Sequence, residues 1–375
     1  MSTRTRPGTA RQSGPQPEPQ FLPRSLSRRG FLLGTGATAA TAALALAGCS
    51  SDDDSGDDSG DDSGKGGAKG AGSPTASGTA AGAFPVTVKG TPGSTTVKAA
   101  PERVAACGYL RDTDLALALG APLVLAARNA VFPSGLAPWQ KPTTSPELVG
   151  TTDGLPLEKI AAARPDLILA SDDYQLADDY AKLTKIAPTL AYGNGVGKDG
   201  WDLMAQRAGD VLGKRAEADK LITEVRAKIT RVKSQHPEFT GRTFTFGPVG
   251  ADGSVYTTSS TADAAATFFH QLGLELSPKV TKLPPSATPG RSQIARERLD
   301  LLDADVVILT YPDEATRKKF ESDALFKRLP AVKRGSYIPL DMPTAIALAF
   351  PSVLSIPYGL DAVTPELATA VKNGA

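Results

Sequence analysis

From residue 84 onward, apolar positions fall into short buried runs separated by amphipathic stretches. Residues 104–109 read as a strand, 113–119 as a short helix and 123–126 as a second strand. The alternation continues with a helix over 157–163 that stops before Pro165, a strand over 166–170, a helix over 176–184 and a strand-like 188–192. Short apolar strands alternating with helices predict a parallel sheet covered on both faces. Residues 201–235 then carry the longest helical pattern, with a possible break at Gly213. Its apolar positions Leu221, Ile222, Val225, Ile229 and Val232 recur every three or four residues, opposite a face of Lys, Arg and Glu. A second α/β series follows: 243–246, a turn at Asp252-Gly253, 255–257, a helix over 262–272, and strands over 305–311 and 336–340. The expected fold class is α/β, with two Rossmann-like lobes joined by a single long α-helix.

The first 83 residues follow a different pattern. Ser27-Arg28-Arg29-Gly30-Phe31-Leu32-Leu33 has the form of a twin-arginine export signal, and the apolar run behind it is too short and too rich in small residues for a permanent span. It ends in Leu46-Ala47-Gly48-Cys49, which resembles the bacterial lipobox, with Cys49 as the lipidated first residue of the mature chain. Residues 50–83 hold seven Asp and almost no large apolar side chains, so they have little with which to offset the entropy of ordering. The expected organisation is a signal peptide over 1–48, a tether over 49–83, an N-terminal lobe over 84–213, a connecting helix over 214–236 and a C-terminal lobe over 237–375. Localisation on the outer face of the cell membrane follows.

Charge removes one class of partner. The formal net charge is +1, and six Arg in the first 48 residues offset the acidic tether, so the body is near neutral and offers no field suited to nucleic acid. With only Cys49 and Cys107, a disulfide framework is excluded.

The order of motifs is that of a known family. Residues 103–109 with Leu117-Ala118-Leu119-Gly120, then Leu157-Glu158-Lys159-Ile160 and residues 164–169, resemble the N-terminal lobe of the iron-siderophore and vitamin B12 periplasmic-binding family. Residues 296–299, 303–308 and 329–335 are similar to its second lobe, and the likeness covers 97–371. The resemblance implies a monomeric substrate-binding protein of an ABC importer, with no catalysis and no cofactor, that takes its cargo in a largely preformed ligand cleft between the lobes. It also implies one Glu per lobe for docking to Arg residues of the permease, at positions that match Glu158 and Glu297. An ordinary solvated Glu in a first helical turn is the alternative for each.

The implied cargo is an iron(III)-siderophore chelate, with cobalamin or haem as the alternative within the fold. His236 and His270 have no clustered spacing, so a metal would have to arrive already chelated. A bulky chelate with oxygen-rich edges calls for Arg forks and flat aromatic faces at the C-terminal ends of strands. The candidates are Tyr109, Arg111, Arg128, Tyr174 and Tyr192 in the first lobe, and Tyr256, Arg291, Tyr311 and Met342 in the second. The resemblance implies, from the hydroxamate binders of enteric bacteria, an Arg just before the Leu-Glu motif that holds the iron-bound oxygens. This chain has Val149-Gly150-Thr151-Thr152 there, so Arg111 or Arg128 would have to substitute. The near-neutral body leans toward a hydroxamate over a multiply charged catecholate. An α/β hydrolase is the rival from another class, and the chain lacks a Gly-x-Ser-x-Gly pentapeptide. The Gly-rich 193–197 lacks the Lys-Ser/Thr of a phosphate loop.

Overall fold

The apolar run Val104–Ala106 is fully buried, and it forms the middle of a five-stranded parallel sheet. The strand order is Glu147–Gly150, Leu123–Arg128, Val104–Ala106, Leu167–Leu169, Thr189–Leu190. The central strands read as continuous apolar segments because both of their faces are covered. Helices Arg111–Ala118, Leu157–Ala162 and Leu176–Leu183 belong to the crossovers. The computed structural model describes residues 84–286 and 288–374, all within one compact unit. The export signal, Cys49 and the tether lie outside the described residues. No helix among the described residues is long and apolar enough to cross a membrane.

The second lobe carries a four-stranded parallel sheet in the order Glu275–Leu276, Thr243–Pro248, Val306–Thr310, Tyr337–Leu340. Here the sequence reading needs correction. The chain does turn at Asp252-Gly253, where Gly253 has φ +81 and the Gly250 N–H donates to the Ser254 carbonyl. Strand Val255–Thr258 then leaves the sheet and pairs antiparallel with Arg291–Ile294. Strand Arg291–Ile294 and the short edge strand Glu275–Leu276 are additions to the elements that the sequence predicts. The hairpin Val86–Lys89 with Ser94–Val97 ahead of the first lobe was missed too, because its period-2 alternation spans only four residues a side.

The stretch 201–235 is two helices, Trp201–Leu212 and Arg215–Gln235. Gly213 adopts the left-handed conformation, φ +65, and its N–H caps the first helix on the Asp210 carbonyl, an arrangement that glycine reaches without steric cost. The second helix has 21 residues and spans about 32 Å between the two sheets. It buries Ala218, Ile222, Val225, Ile229 and Val232, while Leu221 is only half-buried. Arg226 pairs with Asp202 at 2.6 Å and Lys228 with Asp361 at 2.7 Å, tying this helix to its neighbours on either side. A single apolar cluster runs from Val104 and Leu167 of the first sheet through both helices to Phe244 and Ile308 of the second. The strut is thus part of one continuous core, which limits independent movement of the lobes.

Candidate ligand cleft

The C-terminal ends of the strands in both sheets face a cavity of about 800 Å³ lined from both lobes. From the first lobe come Tyr109 and Arg111 after Val104–Ala106, Arg128 and Asn129 at the end of Leu123–Arg128, and Asp172, Asp173 and Tyr174 after Leu167–Leu169. Phe246 and Pro248 of Thr243–Pro248, with Tyr256 and Arg291, line it from the second lobe.

Arg111 is the organising cation. Its Nε donates to Asp172 Oδ1 at 2.7 Å, and its Nη2 lies 2.5 Å from the same oxygen. Asp172 Oδ2 accepts the backbone N–H groups of Leu110 and Arg111 at 3.0 and 2.9 Å, so one carboxylate caps helix Arg111–Ala118 and fixes its first side chain. Burial works against the guanidinium charge, but Asp172 outweighs it and pushes the Arg111 pKa further up. Arg111 Nη1 is buried without a hydrogen-bond partner. An unsatisfied cationic N–H is costly, and an oxygen-rich ligand offers it an acceptor.

A second carboxylate, Asp112, supports this pair from behind. It accepts from Ser171 Oγ at 2.5 Å and from the Asp172 N–H at 3.1 Å. Burial, then the neighbouring Asp172 charge, raise its pKa to about 7.

The aromatic residues bridge the lobes. Tyr109 packs on Phe350 with ring centroids 4.7 Å apart, and burial pushes its phenol up to about 12 while Asn129 pulls the other way. The half-buried Tyr174 is likewise raised by burial and by Asp172, against the opposing charges of Arg111 in its own lobe and Arg291 in the other. Arg291 pairs with Asp263 at 3.2 Å and stands 6.0 Å from the Phe246 ring centroid, a cation–π distance. Asp263 also caps helix Ala264–Gln271 through the Ala265 N–H at 2.9 Å. Gly290 sits against this carboxylate with φ +76, and a Cβ there would meet Asp263 Oδ2 at 3.0 Å.

Of the residues singled out in the sequence, Tyr109, Arg111, Arg128, Tyr174, Tyr256 and Arg291 line the cavity. Arg128 is exposed, with Nη2 donating to the Pro133 carbonyl at 3.0 Å. Three do not line it. Tyr192 is 6% exposed, because strand Thr189–Leu190 ends early and the ring turns into the first lobe's core. Tyr311 is packed against Phe320, and its hydroxyl bonds Tyr337 Oη at 2.7 Å. Met342 opens helix Met342–Ala349 and, with Tyr311, borders a separate cavity of about 400 Å³. Further along that segment, Ile346 and Phe350 reach the cleft instead.

Asp172, Asp173, Asn129, Asp263 and Phe350 were passed over. Consecutive acidic residues directly after a buried strand, Asp172-Asp173, were the available signal. His236 stacks on Phe239 and His270 pairs with Glu275, both outside the cavity lining. No group of metal-ligating side chains occurs among the described residues. Glu158 is exposed in the first turn of Leu157–Ala162 and Glu297 in that of the 3₁₀ segment Arg296–Leu302. Neither forms an ion pair among the described residues.

Comparison with known proteins agrees with this geometry. Residues 106–343 match the family model described as periplasmic binding protein. The Fe(3+) dicitrate-binding periplasmic protein FecB of Escherichia coli is 27% identical over 272 residues, covering 70% of this chain and 84% of its own. A periplasmic solute binding protein from Mycobacterium smegmatis superposes with a TM-score of 0.67 at 32% identity, covering 76% of this chain and 98% of its own. PiaA of Streptococcus pneumoniae in complex with ferrichrome gives 0.66 at 28% identity, covering 76% and 99%. The chain belongs to the periplasmic binding protein family and is a transport binding protein, not an enzyme.

Proposed function

We propose that the chain is the lipid-anchored substrate-binding protein of an ABC importer, capturing an iron(III)-siderophore, of the hydroxamate type, and delivering it to a permease. The observation that carries this reading is the buried, unpartnered Nη1 of Arg111 beside a cavity of about 800 Å³ that Tyr109, Tyr174, Tyr256 and Arg291 also line. Such a volume suits a large preformed chelate. Among relatives, FecB is named for Fe(3+) dicitrate, and a PiaA structure holds ferrichrome.

Charge supports the hydroxamate class. Four cationic residues, Arg111, Arg128, Lys198 and Arg291, and three acidic ones, Asp172, Asp173 and Asp263, line the cavity. Two of the cations are already paired with Asp172 and Asp263. A weakly charged chelate fits this balance better than a catecholate complex with several negative charges. Lipidation of Cys49 would hold the body near the membrane, the acidic tether would give it reach, and exposed Glu158 and Glu297 would meet the permease.

Thermal unfolding of the purified protein with ferric hydroxamates, ferric dicitrate, a ferric catecholate, haem and cobalamin tests the cargo. A ferric hydroxamate in hundredfold excess over its Kd should raise Tm by roughly 5–10 °C. A shift with haem or cobalamin and none with any ferric siderophore overturns the reading.

A further inference from the structure

Three buried groups of the first lobe's cleft residues lack a hydrogen-bond partner among the described residues: Arg111 Nη1 and Asn129 Nδ2, both donors, and Asp173 Oδ2, the one acceptor of the three. Asp173 Oδ1 accepts the Gln175 N–H at 2.9 Å, which leaves Oδ2 without a donor. No cation among the described residues pairs with Asp173. Arg111 is engaged by the adjacent Asp172, Arg291 by Asp263, and Arg128 by the Pro133 carbonyl, while Lys198 is exposed and forms no ion pair among the described residues.

Asp173 is half-buried, and a carboxylate oxygen shielded from water with no donor is costly. Burial raises the Asp173 carboxyl to about 6, the Gln175 N–H opposes this, and Asp179 and Asp172 add to it. The cost is relieved when a ligand brings a donor to Oδ2. Resting on the siderophore reading above, we infer that Asp173 is a specificity residue that selects a chelate bearing a terminal ammonium arm. The cargo is then bipolar: metal-bound oxygens meet Arg111, and a cationic nitrogen meets Asp173. Ring or chain size alone does not define it.

Ferrioxamine B, a linear ferric trihydroxamate with a free terminal ammonium, and its N-acetylated derivative, in which a neutral amide with a small acetyl group replaces that ammonium, are the probes. Their affinities are measured by fluorescence titration at about pH 8 for the full chain and for Asp173→Asn. The Asn variant keeps an acceptor for the Gln175 N–H, and its Tm is recorded to verify folding. The native protein should prefer the free amine by roughly tenfold or more, the range of a charge-assisted hydrogen bond, and the preference should shrink to about onefold in Asp173→Asn. Equal native affinities for the two ligands, or a preference that survives the substitution, overturn the role of Asp173 while the siderophore reading stands. Binding of neither probe, with binding of haem or cobalamin, overturns both.

Discussion

Ser352 Oγ donates to Asp114 Oδ2 at 2.5 Å, joining residues 238 positions apart and on opposite lobes. Asp114 also accepts from Gln140 Nε2 at 2.6 Å and from Trp139 Nε1 at 3.1 Å, and Trp139 packs on Tyr358 of helix Ser355–Asn373 with centroids 5.0 Å apart. A buried carboxylate fed by three neutral donors therefore pins the lobes at their junction, where Leu110, Phe132 and Ile346 supply the apolar seal. Ser352→Ala removes the cross-lobe donor and should cost about 1–2 kcal/mol in denaturant unfolding. Combined with Asp114→Asn in a double-mutant cycle, it should show coupling. Additive effects would mean that the bond adds no connection between the lobes.

The same residues predict how stability depends on pH. Asp112 and Asp114 are raised to about 7, in both cases mainly by burial, and Asp173 to about 6. A carboxyl whose folded pKa lies above its unfolded value binds protons more tightly when folded. Its contribution is therefore complete below the unfolded pKa, about 4, and is lost as pH rises through 6 to 7. Asp252, Asp313 and Asp323 are shifted down, the first two by hydrogen bonds from nearby Ser or Thr and Asp323 mainly by Arg296. Their contribution is lost only on the acid side, toward pH 4 and below. Thermal unfolding should accordingly show a higher Tm near pH 5 than near pH 8. The double variant Asp112→Asn/Asp114→Asn should flatten that slope, and an unchanged slope would show that these groups are ionised throughout.

The layered architecture was readable because its signals are redundant. Fully apolar strands such as Leu167–Leu169, a helix bounded by Gly213, and the three- and four-residue spacing from Ile222 to Val232 each state the same answer by different physics. The cleft was readable only in part. Tyr109, Arg111 and Tyr174 follow buried strands directly, so strand ends located them. Tyr192 and Tyr311 also follow strands, yet both pack into their own lobe's core, and residue type alone does not say which way a side chain beyond a strand end faces. Asp172 and Asp173 escaped because adjacent carboxylates in a sequence read as solvated. Only the fold shows that one is neutralised by an arginine 61 positions away and that the other has no cationic partner among the described residues.

The Arg111–Asp172 pair separates stability from recognition. Arg111→Met leaves the Asp172 charge buried, held by two backbone N–H groups alone, and should destabilise the protein by about 3–5 kcal/mol. Adding Asp172→Asn removes that stranded charge and should restore much of the loss. Ligand binding should be weakened at least about a hundredfold in both, since neither presents a guanidinium to the metal-bound oxygens. Denaturant unfolding and ligand titration on the same samples check this. Recovery of binding in the double variant would show that Arg111 acts on the ligand only through the fold.

The residues proposed for docking lie apart from those proposed for capture. Glu158 and Glu297 are exposed in first helical turns and absent from the residues lining the cavity, one in each lobe. Long-range attraction from two solvated carboxylates affects encounter with a basic partner more than it affects a ligand enclosed elsewhere. Glu158→Ala/Glu297→Ala should therefore keep the native ligand affinity and Tm, exposed substitutions being worth within about 0.5 kcal/mol, while uptake of the labelled ferric siderophore by cells falls to background. Each single variant should retain part of the uptake. Charge reversal, Glu158→Arg/Glu297→Arg, should be no better than the alanine pair unless the permease residues are reversed in turn. Normal uptake by the double alanine variant, at matched abundance on the membrane, would remove both residues from the interface and leave their exposure as ordinary helix-end solvation.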